Sequence, residues 1–120
     1  MRSLRNPSSD ALALLRSEFL DALDISLKVF GDQAFRLPPL AGKARGPLSR
    51  PLYDAQMVAL YRLADRKEAI LANAPTVSKA VLELAQPGSD SYELMVGRGN
   101  TAATIRERIA LVGKTIVGNI

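Results

Sequence analysis

The chain has 120 residues, 16 basic and 12 acidic, for a net charge of +4, and is 48% hydrophobic with only 5% aromatic residues. That length predicts one domain, residues 1–120, and an apolar set dominated by Leu, Ala, Val and Ile favours packed helices over a strand-built sandwich. With no cysteine and no histidine, disulfide frameworks, thiolate or imidazole metal sites and every Ser-His or Cys-His nucleophile are excluded, so neither a cofactor nor an enzyme is expected.

The N-terminus, MRSLRNPSSD, turns polar after two arginines and lacks the apolar centre of a secretory signal. Residues 1–8 read as a flexible lead. No run reaches the roughly 20 apolar residues of a membrane span, so the expectation is a cytoplasmic protein without membrane contact. Ser8, Ser9 and Asp10 are cap residues ahead of a helix that Gly31 stops. In it Leu12, Leu15, Phe19, Leu23, Leu27 and Phe30 recur every three or four positions, a stripe expected to be core. Leu14, Leu20 and Ile25 lie off that stripe and imply contacts on a second side.

From Asp32 to Ser49 the chain is punctuated by Pro38, Pro39, Gly42, Gly46 and Pro47. Proline denies it a helix and glycine permits turns, and a connection of this length is usually functional or disordered. The run from Gln33 to Tyr53 carries the whole net charge: Arg36, Lys43, Arg45 and Arg50 stand in it with no acidic residue, whereas the remaining 12 basic and 12 acidic residues cancel.

Ser49 caps the next predicted helix, with Pro51 in its first turn, where a missing amide proton costs nothing. Leu52, Met57, Leu60, Tyr61 and Ala64 form its apolar stripe, with Val58 beside it. Asp65, Arg66 and Lys67 mark a bend, and a short helical stretch resumes from Glu68 to Asn73. Asn73 and Pro75 open a helix through Gln86 with Val77, Val81 and Leu84 inward and Ala80 assisting, ended by Pro87 and Gly88. SYELMV reads as a short helix closed by Gly97, and Asn100 or Thr101 starts the last one. There Ile105, Ile109, Val112 and Ile116 are spaced four, three, four, a seam that wants a facing helix, either the core or a partner. The predicted fold class is all-α, a single bundle of five or six helices with one long basic Pro/Gly loop.

Chemical motifs fail on context. Gly97, Gly99 and Ala102 fit G-x-G-x-x-A, but no buried strand precedes them and no acidic residue follows about 20 positions on, so a helix cap and turn is preferred. Gly113-Lys114-Thr115 lacks the first glycine of a phosphate loop, since position 108 is Arg108. Asp21 with Asp24, and Asp65 with Glu68, are helical i,i+3 carboxylate pairs without a third ligand, and a solvated face accounts for them. The tyrosines, Tyr53, Tyr61 and Tyr92, suit the edge of a core. The basic loop is the remaining candidate. Arg36, Lys43, Arg45 and Arg50, with Arg98, Arg106 and Arg108 as possible neighbours, are suited to sequence-indifferent phosphate contact.

The succession GDQAFRLP, RPLYDAQMVALYRLADRKEAILANAPTVSKAVLELA and YELMVGRGNTAATIRERIALVGKTI resembles the C-terminal helical part of GmrSD-type, ParB-like bacterial restriction proteins. The likeness lies in Phe35-Arg36 before a variable loop, a helix through LYDAQMVAL, and a glycine-rich turn before a terminal helix carrying Arg108. It covers about three quarters of the chain, and the order of elements carries it. Catalysis in that family resides in a ParB-like domain and, in fused members, an H-N-H nuclease domain. Gly31-Asp32-Gln33 is not the nucleotide-hydrolysis motif, and a histidine-free chain cannot supply the nuclease.

The resemblance therefore implies a helical accessory module in anti-phage defence, with a ParB-like subunit or a second copy of itself as partner. A small basic nucleic-acid-binding protein, DNA included, using the 36–50 loop is the alternative.

Overall fold

The computed structural model describes residues 9–39, 42, 46–97 and 101–120, and these contain six α-helices and two 3-10 turns with no strand. The all-α expectation holds. Residues 1–8, expected as a flexible lead, lie outside the described residues. Helix α1 spans Ser9–Phe30 and ends at Gly31, whose φ of +57° is a backbone conformation that glycine adopts readily. A 3-10 turn, Gly31–Gln33, follows, and the described residues between it and Ser49 form no further helix.

Helix α2, Arg50–Arg62, starts as its sequence dictates: the Ser49 hydroxyl accepts the Leu52 amide at 3.3 Å, and Pro51 occupies the first turn. The bend expected at Asp65 is a 3-10 turn, Ala64–Arg66, leading into α3, Lys67–Ala72. Helix α4, Ala74–Leu84, has Pro75 in its first turn, but Asn73 does not cap it: the side-chain amide of Asn73 donates back to the Ala69 carbonyl of α3 at 2.9 Å. The C-terminal end of α4 is closed by two hydroxyls, Ser89 and Ser91, both donating to the Leu84 carbonyl at 3.0 and 2.7 Å. Helix α5 is the single turn Tyr92–Met95. Helix α6, Ala102–Val117, is capped by the Thr101 hydroxyl, which accepts the Thr104 amide at 3.1 Å.

Helix α2 is central, packing against α1 on one side and α6 on the other, while α4 contacts α1 and α6 from the far face and α5 leans on α6. Ile25, Leu60, Ile70, Val77, Val81, Met95, Val112 and Ile116 are the largest fully buried apolar residues where these helices meet.

The stripe expected as core on α1 is corrected. Ala22, Ile25, Ser26, Val29 and Phe30 are the buried residues of that helix, while Leu27 and, further up, Leu12, Leu15 and Phe19 are exposed. The buried face steps through Ala22, Ser26 and Val29, one residue away from Leu23 and Leu27. Small side chains at 22 and 26 let the α1 backbone approach its neighbours closely, and that close approach outweighs the larger apolar area of the two leucines. The seam on α6 is core over its second half only: Val112 and Ile116 are buried, Ile109 packs partly buried against them, and Ile105 is exposed.

Candidate functional site

Two features stand out once the helices are in place: a fastened loop base and an uncovered apolar groove. The loop is fastened by side chains that sequence reading passed over. Gln33 donates its amide to the Leu37 carbonyl at 2.6 Å and to the Arg36 carbonyl at 3.2 Å, and its carbonyl accepts the Gly46 amide at 3.4 Å. The Arg36 guanidinium donates to the Gly46 carbonyl at 2.9 Å. Backbone bonds from Leu37 to Pro47 and from Ser49 to Phe35, both 2.9 Å, close the base around an antiparallel bridge between Arg36 and Leu48. Gly46 is obligatory here, because a Cβ at that position would overlap the Leu37 carbonyl.

Phe35 sits at φ +63°, a left-handed conformation that costs a non-glycine residue roughly 1–2 kcal/mol. Three contacts hold it there. Its amide donates to Gln56 on α2 at 3.2 Å, its carbonyl accepts Ser49, and its ring meets Tyr53 edge-on with centroids 4.7 Å apart. Gln56 is only 2% exposed, so this polar group is buried for the sake of the loop.

The proposed phosphate-contacting residues that are described fall on the loop base, α2 and α6. Arg50 is exposed at the start of α2 and Arg106 is exposed on α6, whereas Arg36 is half-buried and engaged by Gly46. Lys43, Arg45 and Arg98 lie outside the described residues. Arg108 is corrected from a surface cation to an interior one: it is 3% exposed, and its Nε donates to the Leu94 carbonyl at the end of α5 at 2.6 Å. It closes α5 onto α6, as a cation at a helix C-terminus does.

The carboxylates at 21 and 24 face lysines instead of a shared ion: Asp24 pairs with Lys28 at 3.0 Å and Asp21 with Lys67 at 3.9 Å. No group of three potential metal ligands occurs among the described residues. Gly97, at φ +88°, ends α5 as a helix-terminating glycine, and Gly113 to Thr115 lie inside α6.

The groove lies between the first half of α1 and the outer face of α2, with a volume of about 520 Å³. From α1 come Leu15, Arg16, Phe19 and Ala22. Tyr53, Asp54, Met57, Val58 and Tyr61 form the other wall. From Ser9 to Asp21 every residue of α1 except Glu18 is exposed, with Leu12 at 59%, Leu15 at 53% and Phe19 at 46%. The apolar strip continues past Tyr53 to a second open depression at Phe35, Leu48 and Arg50, where Leu48 is 69% exposed. A monomer rarely leaves so many large apolar side chains together in water.

The sequence signal for this groove was the excess of leucines on α1. Comparison with protein-family models, with curated proteins and with solved structures finds no match. No helix among the described residues is long and apolar enough to cross a membrane.

Proposed function

We propose that this chain is a non-catalytic helical interaction module that binds another protein through the groove between α1 and α2. The observation that carries the reading is the projecting half of α1, whose Leu12, Leu15 and Phe19 are half-exposed in line with a face that is buried lower down the same helix. An apolar groove beside an unpaired helix is the form in which one protein receives a helix of another, with anchors at i, i+3 and i+7. In this reading the single bundle and its long basic Pro/Gly loop serve as scaffold, the fastened base holding Phe35 and Tyr53 in place at one end of the apolar strip. The resemblance to the C-terminal helices of ParB-like restriction proteins supplies the context of anti-phage defence, with a ParB-like subunit or a second copy of the chain as partner. It rests on the quoted residues alone.

The test is a photo-crosslinking residue introduced at Phe19 and, as control, at Lys79, which is exposed on α4. Irradiation in the producing cell is expected to join Phe19 to protein and leave Lys79 unjoined; equal labelling at the two positions, or none at either, sinks the proposal. The nucleic-acid reading is favoured by Arg50, an exposed cation at the positive end of the α2 dipole. Fluorescence anisotropy with a short DNA duplex at low salt separates the two: tight binding that Arg50→Ala and Arg36→Ala remove, with no cross-link at Phe19, would support the DNA reading instead.

A further inference from the structure

We infer that the occupant of the groove is a second copy of this chain, bound by a two-fold axis so that the projecting half of α1 from each copy lies in the groove of the other. The inference rests on the interaction-module reading and names its partner.

Three observations on the molecule point to self-association. First, the seam of α1 runs Leu12, Leu15, Phe19, Ala22, Ser26, Val29, spaced three, four, three, four, three. Its last three members are buried against the protein's own helices, and its first three are not. A seam of that spacing is covered by another helix carrying the same repeat, and the projecting half of α1 is itself such a helix.

Second, the rim is self-complementary. Arg16 stands on the α1 wall and Asp54 on the α2 wall, both exposed. The ion pairs among the described residues, Lys28 with Asp24 and Lys67 with Asp21, involve neither of them. A two-fold rotation sets Arg16 of each copy toward Asp54 of the other, satisfying both pairs with one geometry, which is how an isologous interface is built.

Third, the area suffices. Leu12, Leu15, Phe19 and Tyr61 are each 40–59% exposed. At roughly 90 Å² apiece they offer on the order of 350 Å² per copy, and the half-buried Tyr53 and Val58 with the exposed Arg16 and Asp54 of the same walls bring the pair to about 1,000 Å², where specific interfaces begin.

A small apolar ligand is a poorer occupant. Binding sites for small molecules aim several polar groups inward to fix orientation, whereas here the Tyr61 hydroxyl is already turned to Glu18 at 3.4 Å. The groove also opens along its length onto the bare helix.

Light scattering and sedimentation equilibrium on the full chain, from roughly 5 to 500 µM, test the pairing. The expected mass approaches twice 12.9 kDa at the upper end. Phe19→Glu is expected to raise the dimer dissociation constant roughly 30-fold or more. Circular dichroism checks that the helices survive, which exposure of Phe19 leads one to expect. Arg16→Asp and Asp54→Arg are each expected to weaken pairing by roughly fivefold, and the double exchange to restore it.

A mass of 12.9 kDa at every concentration overturns the inference. So does a dimer indifferent to Phe19→Glu, or a double exchange that stays as weak as its singles. A monomer that still cross-links another protein through Phe19 defeats the self-pairing and leaves the interaction reading standing, whereas loss of both results defeats both.

Discussion

Replacing Gln56 by Leu removes the acceptor that holds the Phe35 amide while keeping nearly the same volume in a site that is 2% exposed. The lost bond and the amide left unpaired against α2 together cost about 1–3 kcal/mol, and the added apolar burial of Leu returns part of it, so a net loss of about 1–2 kcal/mol is expected. Phe35 is the residue least able to absorb this, since its φ of +63° is held by that bond, by Ser49 and by Tyr53. For a domain of this length the entropy of unfolding near the midpoint is about 250 cal/mol/K, so Tm should fall by about 4–8 °C.

Thermal unfolding followed by circular dichroism measures the fall. Amide exchange at Ser49, whose N–H donates to the Phe35 carbonyl, tells whether the loss is local to the loop base. A Tm within about 1 °C of the parent, with unchanged exchange at Ser49, would refute the assignment of Gln56 as the clamp.

Substitutions at three further positions test the packing. Ser26 is fully buried and its hydroxyl has no partner among the described residues, so Ser26→Ala should stabilise by about 1 kcal/mol in urea unfolding, with an unchanged m-value. Ser49→Ala removes the cap on the Leu52 amide and should cost about 1 kcal/mol, read as a lower urea midpoint. Arg108 carries one buried Nη2 with no partner, and Leu94 keeps a second donor in the Gly97 amide at 3.3 Å. Arg108→Met should therefore leave stability within about 1 kcal/mol of the parent, whereas Arg108→Ala, which also opens a cavity, should lose about 2 kcal/mol or more in the same measurement.

The helices were legible in the sequence because their ends are written in local chemistry. Ser49 and Thr101 act through hydroxyls that accept an amide three residues on, Pro51 through its missing amide proton, and Gly31 and Gly97 through their own φ, and each does in the structure what its type predicts. Asn73 failed as a cap for a local reason: it is also the residue that ends α3, and its side-chain amide joins its own backbone N–H in donating to the Ala69 carbonyl of that helix. Arg108 was read as a surface cation because an arginine between Glu107 and Ile109 carries no mark of burial. Only the arrival of α5, itself a single turn too short to foresee as a packing partner, brings the Leu94 carbonyl to it. The clamp made by Gln33 and Gln56 was equally invisible, since a glutamine's partner is set by which backbone groups the fold leaves open.

The groove shows where periodicity stops informing. Spacing along α1 identifies residues that share a face, and Leu12, Leu15 and Phe19 do share one. It is silent on whether anything covers that face. Size then misleads at the next turn, where Leu23 and Leu27 attract attention and the smaller Ala22 and Ser26 are the residues that meet α1's neighbours. Once the seam is corrected, the upper and lower halves of α1 follow a single repeat, and the difference between them is whether described helices pack against each half and not the sequence of the helix. A repeat that continues beyond its own core without becoming polar marks surface suited to burial elsewhere. Such a helix resists solubilising change in a particular way: a charge at Phe19 should cost the fold little and the assembly much, whereas a charge at Ala22, three residues along the same seam, should cost the fold itself.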